Sequence, residues 1–95
     1  MSGPDFLVHD AADSVGVVVV EGVSAGAELT GLVMETGKTV SMKALADIPL
    51  GHKIALGDFQ TGHTVLKYGH DIGKLIADAK AGDHVHVHNL KTKRW

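Results

Sequence analysis

The chain has no cysteine. That excludes disulfides, thiolate zinc sites, iron–sulfur clusters and cysteine nucleophiles, and it fits a reducing cytosol. Aromatic residues are almost as scarce, with two Phe, one Tyr and one Trp among 95 residues. A core must therefore be made mostly of Val, Ile, Leu and Ala. No run approaches the ~20 apolar residues that a membrane-spanning helix needs. The N-terminus lacks the basic region and long apolar stretch of a signal peptide, so the expected location is cytoplasmic, with no membrane partner. Phosphate-binding glycine loops, nucleophile elbows and the HExxH pattern are missing, as are paired carboxylates at informative spacing. A complete active site is hard to assemble from what remains. Half of a site is the natural reading.

Positive charge is absent from one part of the chain. Residues 1–37 hold six acids and no Lys or Arg, whereas residues 38–95 hold nine Lys or Arg against five acids, a net +4. The basic part also holds six of the seven histidines. This asymmetry suits a site for a small anionic substrate. It does not suit nucleic acid, because the overall pI is near 6.3 and no basic cluster is interleaved with aromatics. The length predicts a single domain over residues 1–95 that buries about 60–65% of its unfolded surface. A core that small is consistent with a partner surface.

Strand signals dominate the chain. Phe6 to His9 reads as a first short strand and Asp10 to Ser14 as a polar turn. Val15 to Val20 is the strongest strand signal, β-branched and without alternation, which predicts burial on both faces. A unit of an apolar residue, two variable residues, Gly, two variable residues and an apolar residue then recurs. It occurs at Val23–Leu29, Ile48–Ile54, Phe59–Val65 and Ala79–Val85. Each central glycine can supply the positive φ of a tight turn. The glycines stand 25, 11 and 20 residues apart, which argues against a stacked solenoid and for one turn type reused in a compact β domain. Glu28–Met34 and Thr39–Met42 flank Glu35-Thr36-Gly37-Lys38 as a β-hairpin. Ala44 to Asp47 reads as a single helical turn or a loop, Val65 to Tyr68 as a strand, Gly69 to Gly73 as a turn, and Lys74 to Lys80 as extended or a short turn. The expected class is mostly β, with short strands and tight glycine turns.

The stretch richest in chemistry is Gly82-Asp83-His84-Val85-His86-Val87-His88-Asn89. Period-two alternation puts His84, His86 and His88 on one face of a strand and the valines on the other. Imidazoles two residues apart on a strand are about 6.5–7 Å apart, within reach of one metal ion. His84 and His88 are about 13 Å apart by the same rise, too far for all three to ligate one ion from a straight strand. Any complete site needs ligands from elsewhere. The alternative is a solvated edge strand. His52 beside Lys53 in the turn after Pro49 offers acid–base or carboxylate-binding groups, or a solvated turn. Lys67 and Tyr68 before Gly69 are further candidates, although Tyr68 also reads as a half-buried strand aromatic. His9, His63 and His70 have no grouping that singles them out.

Three stretches together resemble a known family. Ile48-Pro-Leu-Gly-His52-Lys53-Ile-Ala-Leu56, Val65-Leu-Lys67-Tyr68-Gly69-His-Asp-Ile72-Gly73 and Gly82-Asp-His84-Val-His86-Val-His88-Asn89 are similar, in order and spacing, to the SAF domain of the altronate/galactarate dehydratase family. The resemblance implies a small β-clip fold, either fused to a large catalytic domain or made as a separate small subunit. With no second domain before Trp95, the separate small subunit is expected. The ending His88 to Trp95, and the opening Phe6 to Asp10 with Asp13 to Val17, are most similar to the family's sulfolactate-cleaving branch. The resemblance therefore implies a metal-dependent lyase that converts (2R)-3-sulfolactate to pyruvate and sulfite. Its cofactor would be a divalent ion, iron(II) or similar, and its partner a large catalytic (beta) subunit. The same resemblance makes His52, Lys53 and His86 the catalytic candidates and His84, His86 and His88 the metal candidates. Lys67, Tyr68, Asn89 and Arg94 become the substrate-binding candidates. Two alternatives stand beside this: the small subunit of an altronate-type dehydratase, and a non-catalytic β-clip docking module.

Overall fold

The computed structural model describes residues 3–67, 70–75, 77–85 and 90–91. Among the described residues nine strands follow one another: β1 (Phe6–Val8), β2 (Val15–Val18), β3 (Glu28–Val33), β4 (Lys38–Lys43), β5 (Lys53–Ala55), β6 (Thr64–Lys67), β7 (His70–Leu75), β8 (His84–Val85) and β9 (Leu90–Lys91). Among the described residues there is no helix, and hence none long and apolar enough to cross a membrane. Six strands form one sheet in the order β4-β3-β1-β2-β5-β8, and three form a second in the order β6-β7-β9. All pairings are antiparallel except β1 with β3. The mostly β class expected from the sequence is what the chain adopts.

The recurring glycine unit is the local device that builds this fold. Gly26, Gly51, Gly62 and Gly82 have φ of 92°, 86°, 91° and 94°. In every copy the residue after the glycine donates its N–H to the carbonyl three residues back: Ala27 to Ser24, His52 to Pro49, His63 to Gln60 and Asp83 to Lys80, at 2.9–3.0 Å. In every copy the glycine N–H also donates to a neighbouring chain segment, on Ala44, Val18, Leu75 and Ala55 respectively, and that same residue donates back to the carbonyl after the glycine. The turns associate in pairs, through the bridges Val23↔Ile48 and Phe59↔Ala79. An aspartate just before the bridging residue of one turn clamps the other turn. Asp47 accepts from the Ala25 N–H at 2.9 Å, Asp58 from Ala81 at 2.9 Å and Asp78 from Thr61 at 2.7 Å. Asp78 receives the Thr61 hydroxyl as well, and these two donors hold its carboxyl below the ordinary aspartate value. The position matching these aspartates in the first turn is Gly22, which has no side chain to give.

Two apolar clusters lie against the larger sheet. Phe6, Val18, Leu29, Ile48 and Ile54 belong to one, and Val15, Ala55, Val65, Leu75 and Val85 to the other. Neighbours in sequence divide between them, Ile54 to the first and Ala55 to the second, because alternate residues of a strand face opposite ways. The expected two-faced burial of the valine run therefore holds for β2, but it stops at Val18, since Val19 is 38% exposed. The single large aromatic of the first cluster, Phe6, lies over Gly16 and Gly31, where any side chain would meet its ring. Ser14 ties the two sheets together. Its N–H donates to the Leu66 carbonyl at 2.9 Å, its Oγ accepts from the Leu66 N–H at 3.1 Å, and its carbonyl accepts from the Leu56 N–H at 2.9 Å.

Two local expectations are corrected. Ala44 to Asp47 makes a bend, not a helical turn, because the Ile48 N–H that would close such a turn on the Ala44 carbonyl donates to the Val23 carbonyl at 3.1 Å. The segment expected as a turn over Gly69–Gly73 is mostly strand: β7 begins at His70, pairs with β6 as Lys67↔His70 and Leu66↔Asp71, and absorbs a bulge between Val65 and Leu66. The extended reading of Lys74 to Lys80 holds where the segment is described: Lys74 and Leu75 complete β7, and Ala79 forms the bridge to Phe59.

Candidate functional site

The site forms where the second and fourth glycine turns feed two adjacent strands. His52 follows Gly51 and immediately precedes β5, while His84 opens β8, the edge strand of the six-stranded sheet. β5 and β8 pair antiparallel, with Lys53 opposite Val85 and Ile54 opposite His84. His52 and His84 therefore stand as diagonal neighbours, close enough for long side chains to touch across the ladder. They do touch: His52 Nδ1 lies 2.7 Å from His84 Nε2. The ring centroids are 4.9 Å apart and the planes are inclined by 29°. The difference between the two distances is what two imidazole radii span, so the facing nitrogens lie near the line joining the ring centres. The rings meet edge to edge through an N–H···N hydrogen bond. Both side chains are half-buried.

Lys53 is the first residue of β5, half-buried and held in the middle of the ladder, opposite Val17 of β2 and Val85 of β8. The structure thus brings His52 and His84 together, whereas Lys53, opposite Val85, lies on the other face of the ladder from His84, which stands opposite Ile54. Lys67 is placed in β6, in the other sheet, opposite His70. Tyr68, His86, His88, Asn89 and Arg94 lie outside the described residues. His63 packs its ring against Phe59, with centroids 4.3 Å apart, beside an open cleft bounded by Asp58, Gln60 and Thr61. A further acidic group lies away from this region, where partial desolvation and then the neighbouring Glu35 push the Asp10 carboxyl upward.

The contact between His52 and His84 has no signal in either local stretch. The sequence places His84 in a row with His86 and His88, whereas the structure pairs it with a residue 32 positions away. The one usable signal is the recurring unit itself. It puts His52 one residue and His84 two residues after the turn glycine, but only the pairing of β5 with β8 brings those two turns together.

Neutral imidazole nitrogens suit Fe(II), Zn(II) and Ni(II), so the pair fits a borderline divalent ion in kind. It does not make a ligand set alone: among the described residues no group of three or more His, Cys, Asp or Glu could hold a metal ion. His52 and His84 are a fragment of such a set.

Residues 4–93 match the SAF domain of altronate/galactarate dehydratases, and the chain belongs to that family. Within it, the chain is 55% identical over 91 residues to the (2R)-sulfolactate sulfo-lyase subunit alpha of Chromohalobacter salexigens, covering 96% of this chain and 97% of that protein. It is 59% identical over 54 residues to the subunit of the same name from Paracoccus pantotrophus, covering 57% of this chain and 81% of that protein. It is also 40% identical over 87 residues to the altronate dehydratase of Escherichia coli, matching 92% of this chain but only 16% of that protein.

Proposed function

We propose that this chain is the small subunit of a two-subunit, metal-dependent carbon–sulfur lyase that cleaves (2R)-3-sulfolactate to pyruvate and sulfite in the cytoplasm. The observation that carries this reading is the end-to-end match, at 55% identity, to a protein named as a sulfo-lyase subunit alpha. The altronate dehydratase match is of lower identity and covers a small part of a much longer chain.

The reaction is a β-elimination. A base takes the proton from the carbon that bears the hydroxyl and carboxylate, the carbon–carbon double bond forms, and sulfite leaves with the electrons of the carbon–sulfur bond. The enol so formed becomes pyruvate by moving its hydroxyl proton to the terminal carbon. Negative charge builds on the carboxylate and its neighbouring oxygen during proton removal. A divalent ion, iron(II) on the family resemblance, supplies Lewis-acid stabilisation of that charge when bound. From this chain, His86 with either His84 or His88 would hold it, and the remaining ligands would come from the second subunit. His52 and His84 share one ring proton in the hydrogen bond between them, which leaves the other nitrogen of each ring for groups beyond the pair. Lys53 supplies positive charge for the carboxylate or sulfonate, with Lys67, Tyr68, Asn89 and Arg94 the further substrate-binding candidates. The site is completed by a large catalytic subunit, in keeping with the word subunit in the relatives' names.

Substrate comparison tests the reading. The purified complex supplied with iron(II) should release sulfite from (2R)-3-sulfolactate and leave altronate intact. Dehydration of altronate without turnover of sulfolactate would make the chain a sugar-acid dehydratase subunit instead.

A further inference from the structure

We propose that His52 is the positioning partner of His84: its Nδ1 accepts the Nε2–H of His84 and so holds His84 in the tautomer whose Nδ1 carries the lone pair. The bond at 2.7 Å needs a proton on one facing nitrogen and a lone pair on the other. The tautomers set its direction. The Nε2–H form is the more stable neutral form of a histidine side chain. With both rings in that form, His84 presents a donor and His52 an acceptor, and the contact is made at no tautomeric cost. The reverse bond would require His52 to carry its proton on Nδ1 and His84 to carry its own on Nδ1 as well, so both rings would hold the less stable form.

The backbone assigns the roles in the same sense. His52 is braced on both sides of its Cα: its N–H donates to the Pro49 carbonyl at 3.0 Å, and its carbonyl accepts from the Val18 N–H at 2.9 Å. The preceding Gly51 N–H is fixed to the Val18 carbonyl at 2.8 Å. His84 opens a two-residue edge strand that, among the described residues, pairs with β5. The rigid turn therefore orients the ring on the edge strand. Whatever His84 binds beyond the pair, it binds through Nδ1, and whatever His52 meets beyond the pair, it meets as a donor through Nε2–H. A histidine that gives its second ring proton to a fixed acceptor is oriented with the lone pair of its other nitrogen directed away from the pair, an arrangement that suits metal-binding and proton-accepting histidines alike. The tautomer rests on the contact and on the greater stability of the Nε2–H form, whereas its value to catalysis rests on the lyase reading above.

The test has two arms. In the full chain labelled with nitrogen-15, long-range proton–nitrogen spectra at neutral pH should show His84 protonated on Nε2 and bare on Nδ1. In the two-subunit complex supplied with iron(II), His52→Leu, which removes the acceptor, should lower sulfite release about 10–100-fold. His52→Asn, whose amide oxygen can stand where Nδ1 stood, should restore most of that loss. A proton on His84 Nδ1 in the unsubstituted chain would overturn the proposal. So would an Asn variant as impaired as the Leu variant while both keep the native melting temperature. If the complex turns over no sulfolactate at all, the lyase reading fails and the nitrogen spectra still decide the tautomer.

Discussion

Replacing His84 with alanine should lower sulfite release by the two-subunit complex at least about 10–100-fold, because it removes a candidate metal ligand together with the ring bonded to His52. The fold should survive. What β8 contributes to the core is Val85, which is 1% exposed, whereas His84 is only half-buried. Alanine leaves the backbone ladder between His84 and Ile54 in place. What the substitution removes is the ring that faces His52 Nδ1 across 2.7 Å. The measurement is sulfite release by complexes carrying either chain, with thermal unfolding and the mass of the complex recorded alongside. Full activity in the alanine variant would take His84 out of the site. Low activity accompanied by loss of the complex would make its role one of docking.

Replacing Gly82 with alanine should cost far more stability than the same change at Gly62. Both glycines sit at the same place in the recurring turn, with φ of 94° and 91°, so both substitutions carry the backbone strain of a left-handed residue, about 1–3 kcal/mol. Their surroundings differ. A Cβ at Gly62 would meet nothing within 4 Å, while one at Gly82 would run into the carbonyl oxygen of Lys43 and press on Leu45. That close approach is held by the Leu45 N–H donating to the Gly82 carbonyl at 3.0 Å and the Gly82 N–H donating to the Ala55 carbonyl at 2.9 Å. Overpacking against backbone adds about 1–3 kcal/mol, so Gly82→Ala should lose on the order of 4 kcal/mol in all. For a small domain that is a large part of the whole stability. Urea unfolding of the two variants side by side measures the difference. Equal losses would mean that the fourth turn does not pack on the Lys43–Leu45 bend as described. The consequence reaches the site as well, because His84 lies two residues beyond this turn.

The parts of the fold that were legible in the sequence are those set by a local requirement. Four glycines at a fixed offset between apolar residues mark four turns because only that backbone conformation closes them, and all four close with the same hydrogen bonds. The β-branched run Val15–Val20 marks a strand buried on both faces for an equally local reason, and the strand takes up Val15–Val18 of it. Where pairing partners decide, local reading failed. Gly69 to Gly73 carries the residues of a turn, yet His70 to Leu75 is held extended between β6 and β9. Ala44 to Asp47 carries helix-forming residues, but the Ile48 N–H that would close a helical turn is taken by the Val23 carbonyl. The site shows the same division. His52 and His84 could each be picked out by residue type and by place in a turn or on a strand. Their bond depends on the pairing of two short strands far apart in sequence, and alternation within 84–88 says nothing about it.

Reconstitution decides whether this chain supplies the smaller part of a sulfolactate-cleaving site. The separately purified chain is mixed with its large subunit, iron(II) and (2R)-3-sulfolactate, and sulfite and pyruvate are measured together. Equal amounts of the two products are expected when both chains are present, and neither product when this chain is left out. Undiminished sulfite release by the large subunit alone would contradict the proposed role.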